Sequence, residues 1–420
     1  MIRTHPLIAL ILAASVFAAG VFWWMGLPPA PIRIGVLHSA TGTMAISERP
    51  LVDAVRMAVE EINREGGVDG RPLEMIVADG QSDPAVFATE AERLISEEEV
   101  SALFGCWTSA SRKAVKQVVE RHDHLLFYPL QYEGLEQSEQ IVYMGAAPNQ
   151  QILPAVRWSL ANLGYRFYLV GSDYVFPRAA HAIIRAQLAR WPADVVGESF
   201  VRLGSRDVGA VVQAIVAAKP DVILNTLNGD SNLAFFEALR AAGVTADTLP
   251  VMSFSIAEEE LRHLPPDATT GHYAAWNYFQ SVAGGSNQLF VNRFRERYGV
   301  ERVTSDPIEA AYSAVRLYAE AAAAAGDDDP PAVRAQIRDR SVKAPGGSVH
   351  VDGRNQHTWK TVRIGRIRAD GQFDIVWTSG HPIAPVPFPP LRSVAEWTTF
   401  LDQMQAGWGG RWEPATAAAP

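Results

Sequence analysis

Six short loops hold most of the side chains that could do chemistry: HSATG (38–42), GCWTSAS (105–111), YPLQYEG (128–134), GSDYVFP (171–177), NTLNGDSN (225–232) and SFSIAEEE (253–260). Hydroxyls, amides and aromatic rings dominate them. That mixture suits a small uncharged polar ligand, because hydroxyls, amides and helix N-terminal N–H groups meet its hydrogen bonds while rings exclude water. Ser109 stands where a helix should begin and reads as an N-cap, a role compatible with touching a ligand. Trp107 and Tyr128 read more readily as core or lobe-interface aromatics than as binding residues, and Asp173, Asn228, Asp230 and Glu258 as turn or cap residues. Ser39 and Ser255 join the candidates as hydroxyls of the first and last loops.

Nucleophilic, metal and nucleotide chemistry find little support. The single cysteine, Cys106, has no elbow motif around it, and a lone Cys at a strand end is ordinarily a small buried hydrophobe. The ten histidines show no HExxH or similar spacing, so no metal site is expected. Neither a G-x-x-x-x-G-K-[ST] loop nor a G-x-G-x-x-G loop is present, and no cofactor is expected. A net charge of −9 argues against nucleic acid as a partner, since binding it requires clustered Lys and Arg to displace counterions.

The loops need a scaffold that brings them together, and the segments before them supply one. IRIGVL (32–37), PLEMIVAD (72–79), SALFG (101–105) and LLFYP (125–129) read as strands separated by helices near 49–65, 84–97 and 109–121. The pattern restarts with strands FYLVGSD (167–173), VVGESFV (195–201), DVILNTL (221–227) and PVMSF (250–254), and helices over 177–190, 206–218, 230–242 and 256–262. Strands alternating with helices mean parallel sheets. Open parallel sheets bind ligands beyond the carboxyl ends of their strands, where all six loops fall. Past Thr270, helices over 284–298, 307–325 and 330–338 precede strands over 348–352, 360–371 and 372–378, with a turn at Asp370-Gly371.

Length and composition agree with an α/β fold of two doubly wound parallel-sheet lobes. About 390 residues follow the leader, too many for one ordinary core and enough for two with a cleft between them. Hydrophobic content of 48% and charged content of 20% describe a packed protein. One cysteine forms no intramolecular disulfide, so packing alone must stabilise the chain in an oxidising compartment.

Residues 7–27, LIALILAASVFAAGVFWWMGL, carry no formal charge and follow Arg3. They read as an export signal that puts the rest of the chain in the periplasm. Ala18-Ala19-Gly20 offers a cleavage site, whereas Trp23 and Trp24 suit a retained anchor at the membrane boundary. Both fates of residues 1–30, signal peptide or membrane anchor, stay open.

Several long blocks resemble the type I periplasmic solute-binding proteins, specifically their urea and short-chain-amide branch. They include GVLHSATGTMAISE (35–48), FGCWTSASRKAV (104–115), LLFYPLQYEGLE (125–136), IVYMGAAPNQQILPAV (141–156), LVGSDYVFPR (169–178), NTLNGDSNLAFF (225–236), GHYAAWNYFQS (271–281) and HTWKTVRIGRIRADGQFDIVW (357–377). The resemblance implies two lobes joined by three crossovers: 31–148 plus 272–345, and 149–271 plus 346–390. Residues 391–420 are left as a C-terminal extension with a disordered tail.

It also implies a ligand held between Trp107, Ser109, Tyr128 and Gln131 of one lobe and Tyr174 and Asn228 of the other. A related amide-sensing regulator carries an apolar residue where Asn228 stands here. The function expected from the likeness is capture of a small neutral solute, urea or a short amide, and delivery to an ABC permease in the inner membrane. The alternatives are a membrane-tethered amide or urea sensor for a signalling partner, an enzyme acting on the amide, and a branched-chain amino-acid receptor. The last would need an acid for the ammonium group, with Glu258 as the candidate.

Overall fold

The computed structural model describes residues 29–415, so the leader expected over 7–27 and residues 416–420 lie outside the described residues. Among the described residues no helix is long and apolar enough to cross a membrane.

The first lobe opens with β1 (Ile32–His38), α1 (Ala45–Arg64), β2 (Leu73–Asp79), α2 (Pro84–Ser96), β3 (Leu103–Gly105), α3 (Ser109–Arg121), β4 (Leu126–Tyr128) and β5 (Ile141–Tyr143). All five strands are parallel, in the order β2-β1-β3-β4-β5. Helices cover both faces, which is why Ile34, Val36 and Leu37 are all buried rather than alternating in and out. α1 buries Leu51, Ala54, Val55, Ala58 and Ile62 at helical spacing. α2 starts at Asp83, whose carboxylate accepts from Ala85 N and Val86 N, with Pro84 at the first helical position.

The second lobe holds α4 (Ile152–Asn162), β6 (Arg166–Ser172), α5 (Val175–Leu188), β7 (Asp194–Val201), α6 (Gly209–Ala218), β8 (Val222–Thr226), α7 (Asp230–Ala241), β9 (Val251–Ser253), α8 (Glu258–Leu261), α9 (Pro266–Thr269) and β10 (Tyr273–Trp276). The chain then returns through α10 (Gly285–Tyr298), α11 (Asp306–Ala325) and α12 (Pro330–Ile337). Phe290, Phe294, Val315 and Tyr318 of these helices belong to the first lobe's core.

Next come β11 (Ser341–Ala344), β12 (Gly347–Val351) and β13 (Thr358–Trp359), a small antiparallel sheet, followed by the hairpin β14 (Arg363–Ile367) and β15 (Phe373–Thr378). The hairpin extends the second lobe's sheet to the order β15-β14-β10-β9-β8-β6-β7.

The lobe boundaries drawn from sequence at 272 and 346 both move. β10 pairs with β9 and β14, so the chain leaves the second lobe only after Trp276. Val349 and Val351 pack into the first lobe's core, so the last crossing falls between β13 and β14. β10, YAAW, leaves no strand signature in the sequence because it is short and buried, without the alternation that marks a half-exposed strand.

Among the described residues the C-terminal extension holds a helix packed on the second lobe. α13 (Val394–Gly407) starts at a capping box between Ser393 and Glu396 and packs Trp397 and Leu401 into the second lobe's core. Trp397 Nε1 donates to Pro389 O at 3.0 Å.

Candidate functional site

The strand ends of the two lobes face each other, and polar contacts join them across the seam. After β3 the chain turns at Cys106, which takes φ 66°, and Thr108 caps α3 by accepting from Ser111 N at 3.1 Å. The N-cap read for Ser109 therefore belongs to Thr108, and Ser109 sits in the first turn. Tyr128 OH donates to Trp107 O at 2.7 Å, fixing the Trp107 loop. Trp107 Nε1 then reaches Asn228 Oδ1 on the other lobe at 3.2 Å. Asn228 is held in turn by its N donating to Ser172 Oγ (3.0 Å) and its Nδ2 to Thr226 O (3.2 Å).

Gln131 makes a second bridge. Its Nε2 donates to Phe254 O (2.9 Å) and Ser255 Oγ (3.2 Å), while its buried Oε1 has no partner among the described residues. Further along the seam, Asp230 N donates to Thr43 Oγ1 at 3.2 Å and Ser47 Oγ to Glu260 Oε1 at 2.7 Å. Gly229 makes the first of these close approaches possible. It sits at φ 59°, and a Cβ there would stand 2.7 Å from Thr43 O.

Beneath Ser109 lies a fully buried charge cluster that the sequence reading did not single out. Arg112 donates through Nη1 to Ser109 Oγ (2.9 Å), through Nη2 to Glu133 (3.0 Å) and through Nε to Glu136 (2.8 Å). Ser109 Oγ also donates to Glu133, and Lys113 Nζ to Glu136 at 2.6 Å. The Tyr128 and Tyr132 rings flank the guanidinium, 4.9 and 4.5 Å from its carbon. Burial opposes ionisation of Glu136, but Arg112 and Lys113 outweigh it and hold the carboxyl far below its usual range. These four charges cancel in pairs, so none is left over for a charged ligand. Arg112 and Glu133 stand inside the quoted SASR and YEG blocks, but residue type alone did not show that they pair.

Of the candidates read from sequence, Trp107, Tyr128, Gln131, Asn228 and Ser255 form the bridging set, and Ser109 bonds Arg112, whose guanidinium lies over the Tyr128 ring. Tyr174 is buried at the start of α5 and shares a packed cluster with Ala110 and Leu135 of the opposite lobe. Ser39 ties its loop to α1 and to the loop after β2: its N donates to Glu48 Oε2 and its Oγ accepts from Ser82 N, both at 2.9 Å. Glu258 points elsewhere. Its Oε1 accepts from Gln280 N at 2.7 Å on the crossover after β10, and burial pushes its carboxyl up to about 8.

The Cys106 thiol is fully buried, and burial, aided by Glu48, pushes it well above its ordinary range. A thiolate nucleophile is therefore disfavoured. Among the described residues no group of three or more His, Cys, Asp or Glu is placed to hold a metal ion.

The C-terminal segment crosses the same seam. Trp412 O accepts from Val175 N at 3.0 Å, beside Tyr174, and the Trp412 ring lies 4.4 Å from Lys113 Nζ on the first lobe.

A periplasmic binding protein domain matches residues 32–394, and the chain belongs to that family. Curated relatives match over shorter stretches. The Leu/Ile/Val-binding protein homolog 7 of Brucella abortus is 35% identical over 91 residues, 22% of this chain and 23% of its own length. The limonene hydroxylase of Geobacillus stearothermophilus is 34% identical over 117 residues, 28% of this chain and 21% of its own. The chain thus spans less than a quarter of these relatives' lengths.

Solved structures match far more of it. An ABC-transporter solute-binding protein from R. palustris in complex with 4-hydroxybenzoate gives a TM-score of 0.75 at 21% identity, covering 83% of this chain and 97% of its own. A leucine-binding protein of Thermotoga maritima gives 0.74 at 19%, covering 83% and 98%. At such identities the likeness establishes the fold, the two-lobed α/β architecture of type I periplasmic binding proteins.

Proposed function

We propose that this chain is an exported receptor that traps a small neutral solute between its lobes, urea or a short-chain amide, and hands it unaltered to an ABC permease in the inner membrane. The periplasm is its compartment, with residues 7–27 as export signal or tether. The observation that carries the reading is Gln131 Oε1: a buried amide oxygen at the seam between the lobes with no donor to satisfy it among the described residues. An unpaired buried acceptor costs about 1–3 kcal/mol, and an NH₂ group of the ligand relieves that cost. The other bridging residues, Trp107, Tyr128, Asn228 and Ser255, are all neutral. Ser109 and Tyr174 complete the proposed contacts, and Ser39 supports them by holding the first lobe's loops.

A carboxylate, as in a benzoate or an amino acid, is held most strongly by a free cation, although helix N-terminal N–H groups and hydroxyls also bind one. Arg112 is already paired with Glu133 and Glu136, which disfavours a benzoate or an amino acid at this place. Glu258, the acid that a branched-chain amino-acid receptor would use for the ammonium group, faces the Gln280 crossover instead.

The reading is tested by thermal-shift titration with urea, acetamide, formamide, leucine and 4-hydroxybenzoate. A ligand bound only by the folded protein raises the melting temperature by mass action, so urea or an amide is expected to raise it most. A shift with leucine or 4-hydroxybenzoate and none with urea or the amides overturns the proposal.

A further inference from the structure

A polar cavity of about 230 Å³ lies away from the seam residues, where the crossings between the lobes meet. Asn277, Asp306, Glu309, Lys360 and Arg363 line it. Asn277 is the knot: its Nδ2 donates to Gln150 O (3.0 Å) on the first crossing and to Thr361 O (3.3 Å) on the last, and the residue itself begins the second. Its Oδ1 is buried and has no partner among the described residues. Asp306 accepts from Asn277 N and Tyr278 N through one oxygen only, at 2.9 and 2.8 Å. Glu309 receives one weak bond from Gly346 N at 3.3 Å and another from Ser313 Oγ at 3.4 Å. Lys360 is buried and lies in the electrostatic field of both carboxyls, yet no carboxylate pairs directly with it among the described residues. Burial raises both acids in spite of it.

The groups left over are of both signs. A lone anion entering this space meets Asp306 and Glu309, and a lone cation meets Lys360 and Arg363. A zwitterion satisfies both and leaves the local charge unchanged. We propose that this cavity is an effector site for a small zwitterion of the α-amino-acid type, whose carboxylate pairs with Lys360 and whose ammonium is taken by Asp306, Glu309 and Asn277 Oδ1. Occupancy would brace the three crossings and shift the balance between open and closed lobes. The site does not depend on which solute the seam takes; only its coupling to that solute rests on the trap reading.

The test is calorimetric titration of the chain with glycine and L-alanine, alone and with urea present. One equivalent of glycine is expected to bind and to change the urea affinity by about fivefold or more. Acetate and glycinamide, each lacking one pole, should bind about tenfold more weakly than glycine. Lys360→Met should lose glycine and keep urea, Lys360→Arg should keep both, and Trp107→Ala should lose urea and keep glycine.

Absence of glycine binding up to tens of millimolar overturns the proposal. So does equal binding of acetate, which needs no variant to measure. Glycine displaced by urea, or lost in Trp107→Ala, places the amino acid at the seam and overturns it as well. Glycine bound through Lys360 with no response to urea upholds the site and rejects the urea reading alone.

Discussion

Two sets of buried carboxyls, one in each lobe, meet opposite fates. Glu133 and Glu136 are as buried as Glu258 and Glu260. Arg112 and Lys113 grip the first pair, and Glu136 is driven far down. Among the described residues the second pair receives only backbone N–H groups and a serine hydroxyl, and burial pushes Glu258 up to about 8 and Glu260 to about 7. Burial raises the cost of charge equally for both pairs; the neighbouring cation decides whether a carboxylate or a carboxylic acid results. The first set fixes the floor of the proposed site, while the second leaves a titratable latch, Ser47 to Glu260, across the same seam.

The largest expected effect breaks the compensated set. Arg112→Met leaves two carboxylates buried with only Lys113 to answer them, and removal of one partner from a buried ion pair costs about 3–5 kcal/mol. Denaturant unfolding should show that loss; a change under about 1 kcal/mol, in the range of an exposed pair, would mean that the cluster is solvated.

The comparison sharpens with pH. Glu136 has a depressed folded value, so the stability it gives is present above its unfolded value and is lost as pH falls into the acid range. Glu258 and Glu260 have raised folded values, so their contribution is fully present below about 4.5 and is lost as pH rises through about 7 to 8. Buried His272 and His357, lowered to about 4, act in the opposite sense up to about pH 6.5, so melting temperature should fall between about pH 6.5 and 8, and Glu258→Gln should flatten that fall. An unchanged slope in the variant would show that Glu258 is ionised at neutral pH.

At the neutral seam the effects are smaller. Asn228→Val removes the acceptor of Trp107 Nε1 and, on the proposed function, an acceptor for the ligand's second NH₂. Urea should lose about 1–3 kcal/mol of affinity and acetamide less. Equal losses in calorimetry reject the idea that Asn228 separates the two.

Smallest is the C-terminal crossing. A cation–π contact at a partly exposed site is worth about 0.5–1 kcal/mol, so Trp412→Ala should speed ligand release about two- to fivefold. Stopped-flow release at an unchanged rate would show that the Lys113 contact does not hold the lobes together.

How much of this was legible depended on the distance over which each feature is decided. The strands at 32–38 and 166–172 and helices such as α11 were readable because their apolar runs and periods are local. β10 and α13 were missed, the first for want of alternation and the second because its buried Trp397 belongs to a core built elsewhere. Of the site, the loops were legible as loops, with their hydroxyls and amides in view, but the partners of those groups were not. Ser109 could be placed near a helix start, yet its neighbour Thr108 took the cap.

By itself the sequence determined the alternating α/β elements, the surplus of neutral polar groups at strand ends, and the lack of any motif for covalent or metal chemistry. Those follow from residue type and short-range spacing. Tertiary structure alone decided which carboxyls keep their protons, that Gln131 meets Ser255 across 124 positions of chain while its own oxygen goes without a partner among the described residues, and that Asn277 ties the crossings together. Hydrogen bonds and ion pairs act over a few ångströms of space, and only folding sets which distant residues come that close.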